Sequence, residues 1–204
     1  MSIKTETVTV TSKGGGISEA LALTEKTAKE CGLEKKPALH LRLLSEELFG
    51  MLSGIAGDVR AEYHIVADGK SFELHMSADV RMSKEMQAQF LSVSKDGKNY
   101  AKKGLMGRIR VMIADFMAPA DGAAAPVMMD AALPYTMGSA AAESSYIWSM
   151  VVYRDELNKK KTGTKEASEA WDELERSIVA NIADDVRVKI IGSYVEIIVI
   201  KAFR

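Results

Sequence analysis

The stretch AEYHIVADGKSFELHMSA, from Ala61 to Ala78, decides the fold. Apolar and polar side chains alternate on both sides of Asp68-Gly69, as in two half-buried strands joined by a tight turn. Asp-Gly between two alternating segments is typical of a type I′ β-hairpin. The apolar positions of the two strands are Ala61, Tyr63, Ile65 and Ala67, then Phe72, Leu74, Met76 and Ala78.

This hairpin also suggests a role for two of the three histidines. If Asp68 and Gly69 form the loop, Ile65 lies opposite Phe72 on the apolar face. On the outer face the same register pairs each histidine with a carboxylate across the strands: His64 with Glu73, and His75 with Glu62. Such cross-strand pairs stabilise a sheet modestly. We therefore interpret both histidines as surface pairing residues rather than as catalytic groups or metal ligands.

The remaining chain alternates helical and extended patterns. Helices are predicted from Ile17 to Gly32 and from Leu105 to Met117. The clearest helix has a continuous apolar stripe, formed by Leu41, Leu44, Leu48, Met51 and Ile55. A second hairpin is predicted at the C-terminus, with a loop at Gly192-Ser193. Its facing pairs are Val186 with Val199, Val188 with Ile197, Ile190 with Val195, and Lys189 with Glu196.

Between the predicted helix that ends at Met117 and the C-terminal hairpin lies a less regular region. Residues 118–143 are rich in Ala, Gly, Pro and Met and show no periodicity. Two amphipathic helices are predicted after it, from Ser145 to Asn158 and from Glu166 to Ala183, and their apolar stripes include Ile147, Met150 and Trp171. We predict one domain, residues 1–204, with 118–183 as an extended and helical insertion before the C-terminal hairpin.

Composition narrows the class of protein. The chain has 204 residues, a net charge of −1 and the single cysteine Cys31. A near-neutral chain has no electrostatic footprint for nucleic acid or an anionic membrane, and one cysteine suits a reducing compartment. The polar N-terminus lacks the apolar core of a signal peptide. We expect a cytoplasmic protein of α+β class, a two-layer sandwich whose mixed, mostly antiparallel sheet carries helices on one face.

The order of elements and three short motifs resemble the GHKL superfamily of ATPases and histidine-kinase-like domains, nearest its anti-sigma-factor serine-kinase branch. In that family a helix carries Ser-Glu-x-x-x-Asn, where the Glu orients a water and the Asn coordinates magnesium. Here Ser45-Glu46 matches, so the resemblance implies Glu46 as the catalytic candidate. The magnesium position is Gly50, which has no side-chain oxygen.

The other two motifs supply the nucleotide-binding candidates that the resemblance implies. Asp79 lies where the family has the Asp that contacts adenine, although the glycines that follow it in the family are absent. Strand parity directs Ala78 rather than Asp79 inward, so Asp79 reaches the interior only through a bulge or at the strand's end. The segment Lys103-Gly104-Leu105-Met106-Gly107, with Arg108, is similar to the phosphate-binding junction between lid and helix.

Two functions follow from these matches. The first is a bacterial regulatory protein of the anti-sigma type, which is serine/threonine-kinase-like or ATPase-like. Its binding of ATP with Mg²⁺ is expected to be weak or lost. Its partner would be a sigma factor or an anti-anti-sigma-like regulator. The alternative is a nucleotide-independent protein-interaction module, or a homodimer formed through the predicted helical pair. Magnesium-dependent phosphoryl transfer is disfavoured by Gly50, and fold alone does not decide the function.

Overall fold

A computed structural model describes residues 2–53, 59–80, 105–116, 145–160 and 165–204. Its strands are β1 (Ser2–Lys4), β2 (Val8–Thr11), β3 (Arg60–Asp68), β4 (Ser71–Asp79), β5 (Ser145–Ser149), β6 (Asp185–Ile191) and β7 (Tyr194–Ala202). Its helices are α1 (Ile17–Glu30), α2 (Lys35–Ser53), α3 (Leu105–Phe116), α4 (Met150–Lys160), α5 (Lys165–Glu175) and α6 (Ile178–Ile182).

The strands form one sheet in the order β1-β3-β4-β7-β6-β5, and β2 pairs with β3 beside β1. Each described pairing is antiparallel, so the predicted α+β fold with a mostly antiparallel sheet is confirmed. The inward side chains of the strands join the buried residues of the helices in one apolar cluster. Alternate positions along β3, β4 and β7 face outward and stay partly exposed. The sheet therefore has a face covered by helices and an open face.

The central hairpin forms as predicted, but its register differs from the predicted one. Asp68 pairs with Ser71, so the loop is Gly69-Lys70 rather than Asp68-Gly69. Gly69 has a φ of 59°, which glycine adopts without steric cost. Each facing pair therefore moves by two positions, and Ile65 faces Leu74. A slip of two positions leaves every side chain on its predicted face.

On the open face this slip overturns the predicted histidine pairs. His64 lies opposite His75 and Val66 lies opposite Glu73. Glu62 faces Ser77 rather than a histidine. The predicted cross-strand carboxylate partners of the two histidines were therefore wrong.

The C-terminal hairpin has the predicted register throughout. Val186 faces Val199, Val188 faces Ile197 and Lys189 faces Glu196. Here the loop residues are Gly192 and Ser193, and Gly192 has a φ of 57°. Strand β7 pairs with β4 on its other side, which places the chain's last strand at the centre of the sheet.

The region before this hairpin corrects a second prediction. Residues Ser145–Ser149 form the edge strand β5 on β6, not the first turns of a helix. Tyr146 and Trp148 are buried while Ile147 between them is exposed, which is the period-two alternation of a strand. Aromatic and β-branched residues also favour strands. The helix begins only at Met150.

The second predicted helix is divided into α5 and α6. Ser177 starts α6 by accepting a hydrogen bond from the Ala180 N–H at 3.3 Å. The segment from 118 to 183 therefore contains a strand and three helices in its described part. Residues 118–144, with Ile55, Lys103 and Gly104, lie outside the described residues.

Candidate functional site

The first motif lies on α2, and its serine is part of the core. Ser45 is fully buried, with its Oγ 3.1 Å from the Leu41 carbonyl oxygen and 2.9 Å from Tyr63 Oη. Thr24 on α1 completes the group, 2.8 Å from Tyr63 Oη and 3.2 Å from Ser45 Oγ. Thr24 also donates to the Ala20 carbonyl at 2.9 Å. We call Thr24, Ser45 and Tyr63 the hydroxyl cluster.

The hydrogen bonds to helix carbonyls identify the donors in the hydroxyl cluster. Thr24 and Ser45 each give their proton to a helix carbonyl four residues earlier. The Tyr63 hydroxyl is then the donor to one of these two oxygens. Burial raises the pKa of Tyr63 to about 12, and the hydrogen bonds to Ser45 and Thr24 only partly oppose this. The cluster is therefore neutral and internally satisfied, which explains Ser45 as a structural residue.

Glu46, the catalytic candidate, lies on the solvent side of α2. Its carboxylate accepts a hydrogen bond from Arg42 Nε at 2.9 Å, one turn earlier on the helix. Arg42 also donates through Nη1 to Glu25 on α1. The hydrogen bond to Glu25, followed by that to Glu46, raises the pKa of Arg42. Glu46 is thus one member of an ion-pair network, Glu25-Arg42-Glu46, that joins α1 to α2 across their exposed surface.

Gly50 lies one turn further along α2 and is exposed. Within the described ranges, no atom lies within 4 Å of a Cβ placed on Gly50. A magnesium ion in a protein is held by oxygen ligands, and residue 50 offers none from a side chain. The family's magnesium ligand is therefore not reproduced at this position.

Asp79 is the last residue of β4, where it pairs with Tyr194. The ladder runs through Ala78 and Asp79 without a bulge, and the Val80 N–H continues it to the Ser193 carbonyl at 2.8 Å. Asp79 therefore keeps the parity of the open face and is exposed. Adenine bound between the sheet and the helices would lie on the other face, so this residue does not fit the adenine role.

The third motif spans residues 103–107, and its described part begins at Leu105, the first residue of α3. Gly107 lies in the first turn and is buried. Arg108 points towards α5, where its Nε lies 2.6 Å from Glu173 Oε2. A guanidinium in a short pair with a carboxylate has its charge matched within the protein. Glu46 and Arg108 thus have different partners, and Asp79 lies across the sheet from both helices.

The open face holds a group of residues that the sequence analysis did not connect. The rings of His64 and His75 stack with centroids 4.7 Å apart and planes 10° apart. His75 lies between two carboxylates, with Nε2 3.1 Å from Glu73 and Nδ1 3.2 Å from Glu196. Both contacts are hydrogen bonds only when the ring carries two protons, because a neutral imidazole has a single N–H. We call His64, His75, Glu73 and Glu196 the histidine cluster.

The pKa of His64 is lowered by partial burial first, and then by the nearby positive charges of His75 and Lys4. The carboxylates of Glu196 and Glu62 act in the opposite direction and are outweighed. The sequence pattern placed all these residues on one face, but only the actual register stacks the two rings. Within the described ranges, no group of three or more His, Cys, Asp or Glu residues is arranged to hold a metal ion.

Comparison with known proteins adds no family assignment. No protein-family model matches the chain, and no curated protein sequence is significantly similar to it. Among the described helices, none combines the length and apolar character that crossing a lipid bilayer requires.

Proposed function

We propose that this protein is a regulatory protein-binding module that resembles the GHKL fold and works without nucleotide-dependent chemistry. One observation carries the proposal: Glu46 at the family's catalytic position and Arg108 at its phosphate position are both paired with other residues of the chain. Glu46 accepts from Arg42 at 2.9 Å, and Arg108 donates to Glu173 at 2.6 Å. Recruiting either for a nucleotide would first break a charge-assisted hydrogen bond.

The residues that should receive magnesium and adenine also argue against the kinase role. Phosphoryl transfer depends on positioning and on neutralising the charge of the phosphates, which in this family requires magnesium. Gly50 supplies no ligand, and Asp79 lies on the open face. ATP with Mg²⁺ is therefore a poor fit to this chain, and we derive no reaction step through it.

A binding role is supported by apolar side chains on the surface of the C-terminal region. Ile147, Val151, Val152 and Ile178 are all exposed. Val151 and Val152 are adjacent in α4, which directly follows the strand that carries Ile147, and exposed apolar residues that lie together commonly mark protein contacts. The net charge of −1 favours neither nucleic acid nor a membrane as the ligand, so a protein partner, such as a sigma factor or its regulator, fits the surface best.

Calorimetry on the purified full chain tests the proposal, with ATP and ADP titrated in the presence and absence of Mg²⁺. We expect weak or undetectable heats that do not depend on the metal. Gly50→Asn restores the family's ligand at an exposed position, and Gly50→Ala is its matched control. Because Asp79 and Arg108 remain where they are, neither variant should create magnesium-dependent binding. A low-micromolar, magnesium-dependent dissociation constant in the unmodified chain would overturn the proposal and favour an active kinase.

A further inference from the structure

The two edges of the sheet differ in how they are protected. At one edge, β3 is covered by two short strands, β1 and β2, and Lys4 ends the first of them. At the other edge β5 has the sequence Ser-Tyr-Ile-Trp-Ser, with no charge, proline or glycine. Proteins protect exposed edge strands with such residues because unpaired backbone groups there can pair with another chain. In the described part of the chain, no strand lies on the outer side of β5.

The side chains of β5 alternate between the core and the exposed surface. Trp148 points into the core and packs near Tyr153 of α4, with ring centroids 5.7 Å apart. Ile147 points to the open face and is 54% exposed, which is high for an isoleucine in a sheet. Val151 follows in the first turn of α4 and is also exposed. An uncharged backbone edge is therefore continuous with an exposed apolar surface.

We propose that β5 is a dimer interface, and that it pairs antiparallel with β5 of a second copy about a two-fold axis at Ile147. The strand is self-complementary in this register. Ser145 would face Ser149, Tyr146 would face Trp148, and Ile147 would face its own copy. A two-fold contact requires one surface to match itself in this way, and the product is one continuous sheet through both copies.

The charges near the edge are compatible with this pairing. Lys189 on β6 is the neighbour of Ile147, and it faces Glu196 on its other side. In the dimer the two Lys189 residues lie three strand spacings apart, about 14 Å, which exceeds the screening length of about 8 Å at physiological salt. Arg187 has its Nε 3.0 Å from Asp185 within the same copy. Of the described charges beside β5, neither Lys189 nor Arg187 is brought into contact with a like charge.

This interface goes beyond the proposed function and does not depend on it. None of the family's nucleotide positions lies on β5. A failed dimer test would leave the argument about nucleotide intact, and tight ATP binding would leave the dimer untouched.

The test compares the same substitution at the two edges. Ile147→Lys places two ammonium groups opposite each other in the dimer, and Ile3→Lys is the control because Ile3 is 53% exposed on β1. By sedimentation velocity on the full chain, we expect the unmodified protein and Ile3→Lys to be dimers. Ile147→Lys should raise the dimer dissociation constant by about 100-fold or more, since juxtaposed like charges cost several kcal/mol. A monomeric unmodified protein, or a fully dimeric Ile147→Lys variant, overturns the proposal.

A crosslinking variant gives the register directly and does not weaken the strand. In a Cys31→Ser background, Ile147→Cys places two thiols opposite each other, where Cβ atoms of facing residues are about 5 Å apart. Mild oxidation at low protein concentration should give a covalent dimer. The matched Ile3→Cys protein should stay uncrosslinked. Equal crosslinking of both, or of neither, contradicts the predicted interface.

Discussion

Tyr63 and His64 are neighbours in β3, yet they point to opposite faces of the sheet and are satisfied by different means. Tyr63 is fully buried, packs edge-on against Phe49 with centroids 4.8 Å apart, and belongs to the neutral hydroxyl cluster. His64 stacks on His75, beside two carboxylates, where water still has access. A buried polar group needs hydrogen-bond partners inside the protein, whereas a half-exposed one can also be satisfied by water. The two faces should therefore respond differently to substitution and to pH.

The largest contrast is expected from alanine substitutions at these two adjacent positions. Tyr63→Ala should lower the free energy of unfolding by about 3–5 kcal/mol, because it leaves a cavity among fully buried neighbours. His64→Ala should cost less than about 1 kcal/mol, as is typical for a partly exposed sheet position. Urea unfolding followed by circular dichroism measures both. Similar losses for the two variants would mean that the open face is covered by something that the described residues do not include.

A smaller effect isolates the hydroxyl cluster from the packing of the ring. Tyr63→Phe should cost about 1–2 kcal/mol, because Thr24 and Ser45 lose the donor between them. The matched control is Tyr194→Phe, since Tyr194 is exposed at the end of β7, and its change should stay within about 0.5 kcal/mol. A double-mutant cycle of Tyr63→Phe with Ser45→Ala should be non-additive, because both changes remove the same contact. Strict additivity would show that the hydroxyls do not interact.

The smallest expected effect is the pH dependence of the open face. The pKa of His64 is lowered in the folded protein from its usual value of 6.5, so the unfolded chain takes up the proton first. The stability from neutral His64 is therefore present above about pH 6.5 and is lost as the pH falls through the lower, folded-state pKa. His64→Gln should flatten the decrease in unfolding free energy between pH 7 and pH 5.

Asp184 allows this effect to be separated from general acid destabilisation. Burial acts to raise its pKa, but the Ala202 N–H and Lys201 outweigh burial and leave the pKa lowered from its usual 3.8. The stability that the Asp184 carboxylate adds is present above pH 3.8, and it is lost only as the pH falls through the lower, folded-state pKa. A decrease between pH 7 and pH 5 that is identical with and without His64 would assign the pH response to another group.

The two hairpins show how far sequence alone determined strand pairing. Both were recognised from alternating side chains, and the C-terminal register was predicted correctly from Gly192-Ser193. The central loop was placed at Asp68-Gly69, whereas the structure uses Gly69-Lys70. Alternation with period two identifies the face of each residue but does not distinguish registers that differ by two. The histidine stack was missed for that reason.

Strand β5 was missed for a different reason. Ser145–Ser149 is short, and a stretch of five residues before a helix matches either the last part of a strand or the first turns of that helix. Its conformation depends on backbone pairing with β6, some forty residues later in the chain. Local preference does not contain that information, because tertiary contacts routinely override it.

For the candidate site too, some features follow from local sequence and others depend on long-range contacts. The sequence by itself determined the alternating faces of the hairpins, the apolar stripe of α2, and the absence of a side-chain oxygen at Gly50. Only the tertiary structure decided that Arg108 pairs with Glu173, that Arg42 joins Glu46 to Glu25 of α1, and that His64 meets His75. Apolar periodicity is a local property of the chain, so it can be recognised in the sequence. The partners of Arg108 and His75 are set by helix packing and by strand register, which bring together residues far apart along the chain.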